Sequence, residues 1–589
     1  MSLKTDVCRL LDHVVRLCEG SCRLQALSGA AKEMQQRLEE PLRVAVVGIM
    51  KAGKSTFMNA LMGKEIVDTG STETTYTVGW FRYGKTPSLE ICFRDGRIQK
   101  APFDELHKWS VRAAASENER LDDVRYVVIY YPSEVLKKME FIDTPGLNSI
   151  YGTDAQNTLD FLSISGHEDT VFEASRADAV IYAFSRSMAG YDKEILDAFH
   201  AGASQNSSPI NSIGILTKVD ATGIWDLFDE VTPPQKAAAV AEKSMENPQV
   251  SRVLFSVYPV CAKPVEGTAA LTEADWALLE KAALLERDEL ADLLYDAAVF
   301  CEAEGEVAEG GTQPDEGKPR PDGKGALAGQ EISNEDAPDS DAFLLFGAEQ
   351  TDMELFDGFE MPAGEDDDSE MSEEIEALCA LGKSAERTSV MNKLSQYGIL
   401  EVASQLAAGR KREEITGIMQ ERCGIKAVGD ILEKHFGNRT FLIKTQYIFS
   451  HLRTLLSSLK REFPDDAQVK NVCAGIFEEI DALMGSVQTL NELKILQMYY
   501  NRQVSFLNEE EKEDFLRVTG EYGRSPEERL NMPGACTVAE LKERSFEKML
   551  QWRGKAGGFM LPRTYVEAAR IIARSYENMY YHLSALLEE

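Results

Sequence analysis

The chain has 589 residues, 43% of them hydrophobic, and a formal net charge of −35. That length predicts two to four domains with ordinary cores, and that charge argues against nucleic acid as a partner. No apolar run is long enough to cross a bilayer, and Met1-Ser2-Leu3-Lys4-Thr5-Asp6 lacks the apolar core of a signal peptide, so the expected place is cytoplasmic or peripheral on a membrane.

Residues 3–38 read as one helix, with Leu10, Leu11, Val14, Val15, Leu17, Leu24 and Leu27 near helical spacing and Pro41 closing it. An apolar strand follows. It runs into Gly48-Ile49-Met50-Lys51-Ala52-Gly53-Lys54-Ser55-Thr56 and then into a helix-forming segment. Strand, G-x-x-x-x-G-K-S loop and helix together make a phosphate cradle: glycines let backbone N–H groups turn inward, and the helix start adds a favourable dipole. Lys54 would neutralise the β and γ phosphates, and the Ser55 hydroxyl would ligate Mg²⁺.

The next loop, Thr69-Gly70-Ser71-Thr72-Glu73-Thr74-Thr75, suits a switch whose hydroxyl joins the metal only with a triphosphate bound. Thr75 is the candidate and Thr74 the alternative. Segments 77–82 and 88–94 are expected to form an antiparallel edge pair. Further strands are expected at 127–131, 139–142, 179–184, 213–216 and 257–260, alternating with helical patterns, which implies a mostly parallel sheet with helices on both faces.

The strand at 139–142 leads into Asp143-Thr144-Pro145-Gly146. Its carboxylate would hold Mg²⁺ through water, and Gly146 would offer an N–H to the γ-phosphate. Thr217-Lys218-Val219-Asp220 ends the strand at 213–216. A carboxylate there accepts from guanine N1–H and the 2-amino group, neither of which adenine presents, and the Lys218 stem covers the base. Cys261-Ala262-Lys263 ends the next strand and is similar to the S-A-K loop that contacts the guanine oxygen.

Residues 271–299 are helical by pattern. Between Cys301 and Lys383 only Lys318, Arg320 and Lys324 are basic among many acids, with Gly and Pro interspersed, which reads as a disordered insert. Its aromatic islands, Phe343-Leu344-Leu345-Phe346 and Leu355-Phe356-Asp357-Gly358-Phe359, read as linker residues, with docking motifs as the alternative. After Met371 the pattern is helical. Residues 430–463 contain no proline, and as one helix would be about 50 Å long at ~1.5 Å per residue. Helices are also expected at 469–500, 538–552 and 565–587, an elongated antiparallel bundle. Gly557-Gly558-Phe559-Met560-Leu561-Pro562 reads as a helix–helix turn, with a lipid-touching loop as the alternative.

The motifs in this order resemble a GTPase, and their wording resembles the dynamin superfamily, especially bacterial dynamin-like proteins. The stretches carrying that resemblance are Gly53-Lys54-Ser55-Thr56-Phe57-Met58-Asn59-Ala60-Leu61, Thr72-Glu73-Thr74-Thr75, Asp143-Thr144-Pro145-Gly146-Leu147-Asn148-Ser149 and Ala177-Asp178-Ala179-Val180. Beyond the insert, Tyr397-Gly398-Ile399 and His435-Phe436-Gly437-Asn438-Arg439 match more loosely. The resemblance implies an α/β P-loop GTPase domain plus an elongated helical bundle, or stalk. It divides the chain into an N-terminal helix packing with the bundle (1–40), the G domain (41–300), the acidic insert (301–375), closing helices or hinge (376–415) and the bundle (416–589).

It further implies GTP hydrolysis with Mg²⁺ as cofactor. Ser55, Thr75 and Asp143 would hold the metal. Gly48, Lys51, Ala52, Gly53, Lys54, Ser55, Thr56 and Gly146 would face the phosphates, and Thr217, Lys218, Asp220, Ala262 and Lys263 the base. Lys51, Lys54 and Thr75 are the catalytic candidates. Where eukaryotic dynamins carry Gln-Ser, this chain has Met50-Lys51, so water positioning must come from elsewhere. Lys51 could supply a cation in cis or across a dimer, in place of or beside a monovalent ion, or be a solvated loop lysine. The segment between Ser149 and His167 is longer than expected, and His167 is a guess at a catalytic residue. Implied partners are GTP and GDP, a second copy paired through G domains, and membrane lipids or a second dynamin-like protein at the inner face of the cell membrane, for remodelling or tethering. The rival readings are a slow nucleotide-gated scaffold and a ribosome-assembly GTPase.

Overall fold

The computed structural model describes residues 3–48, 51–64, 66–67, 77–110, 123–143, 177–185, 210–221, 223–251, 253–302, 376–437, 439–500, 503–523, 525–532, 534, 536–558 and 561–588. Residues 303–375 of the acidic insert, Thr74, Thr75, Gly146, Met50 and His167 lie outside them.

A nine-stranded mixed sheet organises the first half. Its strands are β1 (Leu42–Gly48), β2 (Val78–Tyr83), β3 (Ser88–Phe93), β4 (Ile98–Ala101), β5 (Val124–Tyr131), β6 (Met139–Asp143), β7 (Ala179–Phe184), β8 (Ser212–Thr217) and β9 (Val257–Val260). The order is β4-β3-β5-β2-β6-β1-β7-β8-β9. β1, β6, β7 and β8 are buried at every position, as mainly apolar strands covered on both faces must be, with Arg43 and Glu140 buried among them. β1 pairs in parallel with β6 and β7, and β8 continues in parallel to β7 and β9. Their carboxyl ends, which carry the P-loop, Asp143 and Asp220, therefore gather along one edge.

The expected edge pair of 77–82 with 88–94 is not what forms. β2 is an interior strand, parallel to β5 and antiparallel to β6, while β3 pairs with β4 and β5. Hairpin logic failed because β2 is almost wholly buried, with Trp80 and Phe81 in the core, whereas the short, exposed β4 takes the rim.

The expected helix at 3–38 is a hairpin of Leu3–Leu17 and Gln25–Glu39, turned at Gly20 (φ 80°). Its first helix meets helix Ala467–Ser486 and its second meets helix Thr440–Glu462. Arg37 donates to Asp178 at 2.7 Å, and Lys444 donates to the Arg37 carbonyl at 2.6 Å, which ties the hairpin to the sheet and to the helical region.

The single helix expected over 430–463 is broken. Helix Ile425–Ile431 passes into a π-turn, Leu432–Gly437, before helix Thr440–Glu462 begins. Likewise 469–500 divides at Val487 into Ala467–Ser486 and Gln488–Tyr500. Val487 is extended and β-branched, a poor residue to carry a helix onward. Helices Val538–Ala556 and Arg563–Glu588 pack along each other around Trp552, Tyr565 and Tyr576.

The borders of the acidic insert are joined. Buried Arg387 donates to the carbonyls of Phe300, Leu378 and Gly382, and Ser384 donates to that of Cys301 at 2.7 Å. Chain leaving at residue 302 thus starts beside the point where it returns. Replacing residues 304–374 by a short Gly-Ser linker is expected to leave the melting temperature within a few degrees of the parent, since loop length enters stability only logarithmically. A loss of cooperative unfolding in calorimetry would show instead that the insert builds the core.

Candidate functional site

β1 delivers the chain into the P-loop, and the loop's sharp turns fall where the sequence placed glycine. Gly53 sits at φ 78°, and helix Lys54–Met62 starts immediately after it. At Gly48 (φ 153°) a Cβ would come within 2.2 Å of the Ala183 carbonyl oxygen on β7. Lys51 also takes a left-handed backbone, at φ 62°, and is exposed.

Three sequence candidates meet beneath the loop. Lys54, 7% exposed, donates from Nζ to the Gly48 carbonyl at 3.2 Å. Burial lowers its ammonium and the Asp143 carboxylate pulls it back up. Ser55 Oγ donates to Asp143 Oδ2 at 3.1 Å across 88 positions of sequence. Asp143 itself is 1% exposed, and burial pushes its carboxyl up to about 6, against the pull of Lys54 and Ser55. Among the described residues its second oxygen, Oδ1, has no hydrogen-bond partner. A buried carboxylate oxygen without a donor, next to a hydroxyl and a lysine, fits a hard cation such as Mg²⁺ with oxygen ligands.

At the end of β8, Thr217 donates to the Ala52 carbonyl at 2.7 Å and contacts the Phe184 carbonyl at 3.2 Å. Its hydroxyl braces the P-loop against β7. Lys218 is left-handed (φ 57°) and exposed. Desolvation lowers its ammonium, as does the like charge of Lys51, with Asp220 opposing. Asp220 is raised by burial, against hydrogen bonds from Ser395 and its own backbone. Ala262 is buried at the start of helix Ala262–Thr268, with Lys263 next to it and half-buried.

Two contributors were missed. Asn59, read only as part of a matching helix, accepts from the N–H groups of Ile66 and Val67 and donates to the Val67 carbonyl and to Glu266 at 2.6 Å. It pins the chain leaving the P-loop helix to the helix behind Lys263. A lone amide among the apolar Phe57, Met58, Ala60 and Leu61 was the available signal. Ser395 contacts Asp220 from 175 positions away, and nothing in local pattern points to it.

Residues 44–219 match the model of the Dynamin family, whose members are GTPases. The chain is similar to the isoniazid-induced protein IniC of Mycobacterium tuberculosis, 29% identical over 264 residues, which is 45% of this chain and 51% of IniC. It is 33% identical to the bacterial dynamin-like protein of Nostoc punctiforme over 145 residues, 23% of this chain and 20% of that protein. The chain thus spans about half the length, or less, of these relatives. A solved chain from "an oligomerised bacterial dynamin pair", described as a mechanism for the sensing and tethering of membranes, aligns over 99% of this chain and 91% of its own, at 14% identity and a TM-score of 0.31. A score that low carries no weight for the fold.

Proposed function

We propose, from the match of residues 44–219 to the Dynamin family, that the chain is a bacterial dynamin-like GTPase that binds GTP over the P-loop and hydrolyses it to GDP and phosphate. The observation that supports this most is the meeting of Lys54, Ser55 and Asp143 at the ends of two adjacent parallel strands, with Asp220 further along the same edge.

In this reading, the backbone N–H groups from Lys51 to Thr56 and the start of helix Lys54–Met62 cradle the phosphates. Lys54 moves from the Gly48 carbonyl onto the β and γ oxygens, exchanging a neutral acceptor for a charged one. Ser55 and Thr75 would hold Mg²⁺ directly and Asp143 through water, and the ion would supply positive charge to offset that of the phosphates. Asp220 accepts from the guanine edge and the Lys218 stem lies over the ring. Lys51 adds positive charge at the mouth, next to Lys218.

Nucleotide state would reach the helical region through short links. The Cys261 N–H donates to the Cys423 carbonyl at 3.0 Å, and a Cβ at Gly424 would lie 2.5 Å from the Pro259 carbonyl oxygen. Pairing through G domains and work at a membrane surface rest on the dynamin resemblance. Among the described residues no helix is long and apolar enough to cross a membrane.

The test is calorimetry of GTP and ATP with the parent and with Asp220→Asn. The parent is expected to prefer GTP, and the variant to lose at least about a hundredfold in GTP affinity, because the acceptor loses its charge and one of its two oxygens becomes an NH2 donor set against a guanine donor. Equal binding of ATP and GTP by the parent would overturn the assignment. Phosphate release measured against protein concentration separates a pairing-activated enzyme, whose specific rate rises, from a slow scaffold, whose rate stays flat and low. GTP-dependent pelleting with liposomes tests the membrane role.

A further inference from the structure

Asp220 is held by a residue from beyond the acidic insert. Helix Ser384–Ala407 is interrupted at Ser395, whose backbone sits at φ 59° and ψ 172°. Glycine enters that region freely and other residues rarely. The Ser395 hydroxyl donates to Asp220 Oδ2 at 2.9 Å. Packing fixes the helix there on both sides of the break. A Cβ at Gly267 would come within 2.0 Å of the Lys393 carbonyl oxygen, and one at Gly398 within 2.9 Å of the Pro264 Cβ. Tyr397 meets Trp225 edge-on, with centroids 5.0 Å apart.

We propose that Ser395 is a positioning residue for base recognition, holding the Asp220 carboxylate in the orientation that reads guanine. The proposal rests on the reading of Asp220 as the guanine acceptor. A carboxylate has about four acceptor directions, and guanine needs two of them, one on each oxygen and both in the plane of the base. A hydroxyl anchored in the packed seam takes a third and stops the group from rotating. It also favours the ionised form, the only one that accepts on both oxygens, against the burial that disfavours it. The strained backbone fits this role. Glycine would remove the strain at once, and what glycine lacks is the hydroxyl.

Ser395→Gly in the full chain therefore separates the two roles a serine could have here. The expected result is a melting temperature equal to or above the parent's, with the Kd for GDP raised about tenfold, the loss of one good hydrogen bond to a charged group. The preference for GDP over IDP should fall as well, since inosine has no 2-amino group and draws less on a correctly oriented carboxylate. Ser395→Ala should show the same loss of preference if the glycine variant expresses poorly. Unchanged GDP affinity and unchanged GDP-to-IDP ratio would overturn the proposal, and so would equal weakening of both nucleotides with a lowered melting temperature. Asp220→Asn run in parallel tells the two failures apart. If it weakens GDP while Ser395→Gly does not, only the positioning role falls; if it too leaves GDP untouched, the guanine reading falls with it.

Discussion

Lys54→Ala is expected to lower GTP turnover by at least about a thousandfold while leaving the circular dichroism spectrum unchanged. Removing a single preorganised donor to a developing negative charge costs on the order of 10²–10³ in rate, and a buried ammonium carries full charge where a backbone amide carries a partial one. The geometry adds a second loss. Lys54 and Asp143 lower each other's burial penalty, and the Asp143 carboxyl already stands at about 6. Without the ammonium, burial would push that carboxyl higher still, so that less of it is ionised at neutral pH to serve as a metal ligand. Lys54→Arg should not rescue, because the slot against the Gly48 carbonyl fits a slender ammonium stem and the forked guanidinium is wider. The fold should survive, since β1 is held on both sides by the parallel ladders to β6 and β7, which the Lys54 side chain does not form. Phosphate release under single-turnover conditions is the measurement. Turnover within tenfold of the parent would mean that this loop does not carry the chemistry.

The site was more legible than the architecture around it because its motifs are local. A strand, a glycine-spaced loop, a lysine and a helix sit within a few residues, and the backbone conformations they need follow from residue type, as Gly53 shows. The strand-end acids Asp143 and Asp220 were equally visible, since an apolar run fixes where each strand stops. What failed was pairing over distance. β2 lies between β5 and β6 because its Trp80 and Phe81 need a buried slot, and only the assembled sheet shows which slot is open. Helix length was overread for a related reason. Periodicity carries smoothly through Gly437, yet the chain forms a π-turn there, in which the His435 ring stacks on Phe255 of the sheet domain. Ser395 lay beyond sequence reading altogether, its role set by a contact that spans the acidic insert.

That π-turn holds the site of the largest expected loss of stability. His435 and Arg439 are 0% and 2% exposed, and both converge on Glu521: Arg439 Nη2 donates to its carboxylate at 2.7 Å, with His435 Nδ1 at 3.6 Å. The His435 ring stacks at 4.0 Å on Phe255, two residues before β9, so this cluster joins the helical region to the sheet domain. Burial would raise the Glu521 carboxyl, but the His435 ring beside it and the charge of Arg439 hold it down at about 2. Glu521→Gln keeps the shape and removes the charge, leaving Arg439 buried without its counter-ion, so a loss of about 3–5 kcal/mol is expected. The pH dependence gives an independent handle on the same quantity. A carboxyl depressed from an ordinary value of 4.5 to about 2 binds fewer protons folded than unfolded across that interval, so it stabilises fully above about pH 4.5 and loses that contribution as pH falls toward 2. At about 1.4 kcal/mol per pKa unit this amounts to roughly 3 kcal/mol, the low end of the mutational range. Urea unfolding of the parent should therefore show stability falling between pH 4.5 and 3, with a shallower fall in Glu521→Gln. Parallel slopes in the two proteins, or a variant as stable as the parent at pH 7, would mean that the cluster does not hold the two regions together.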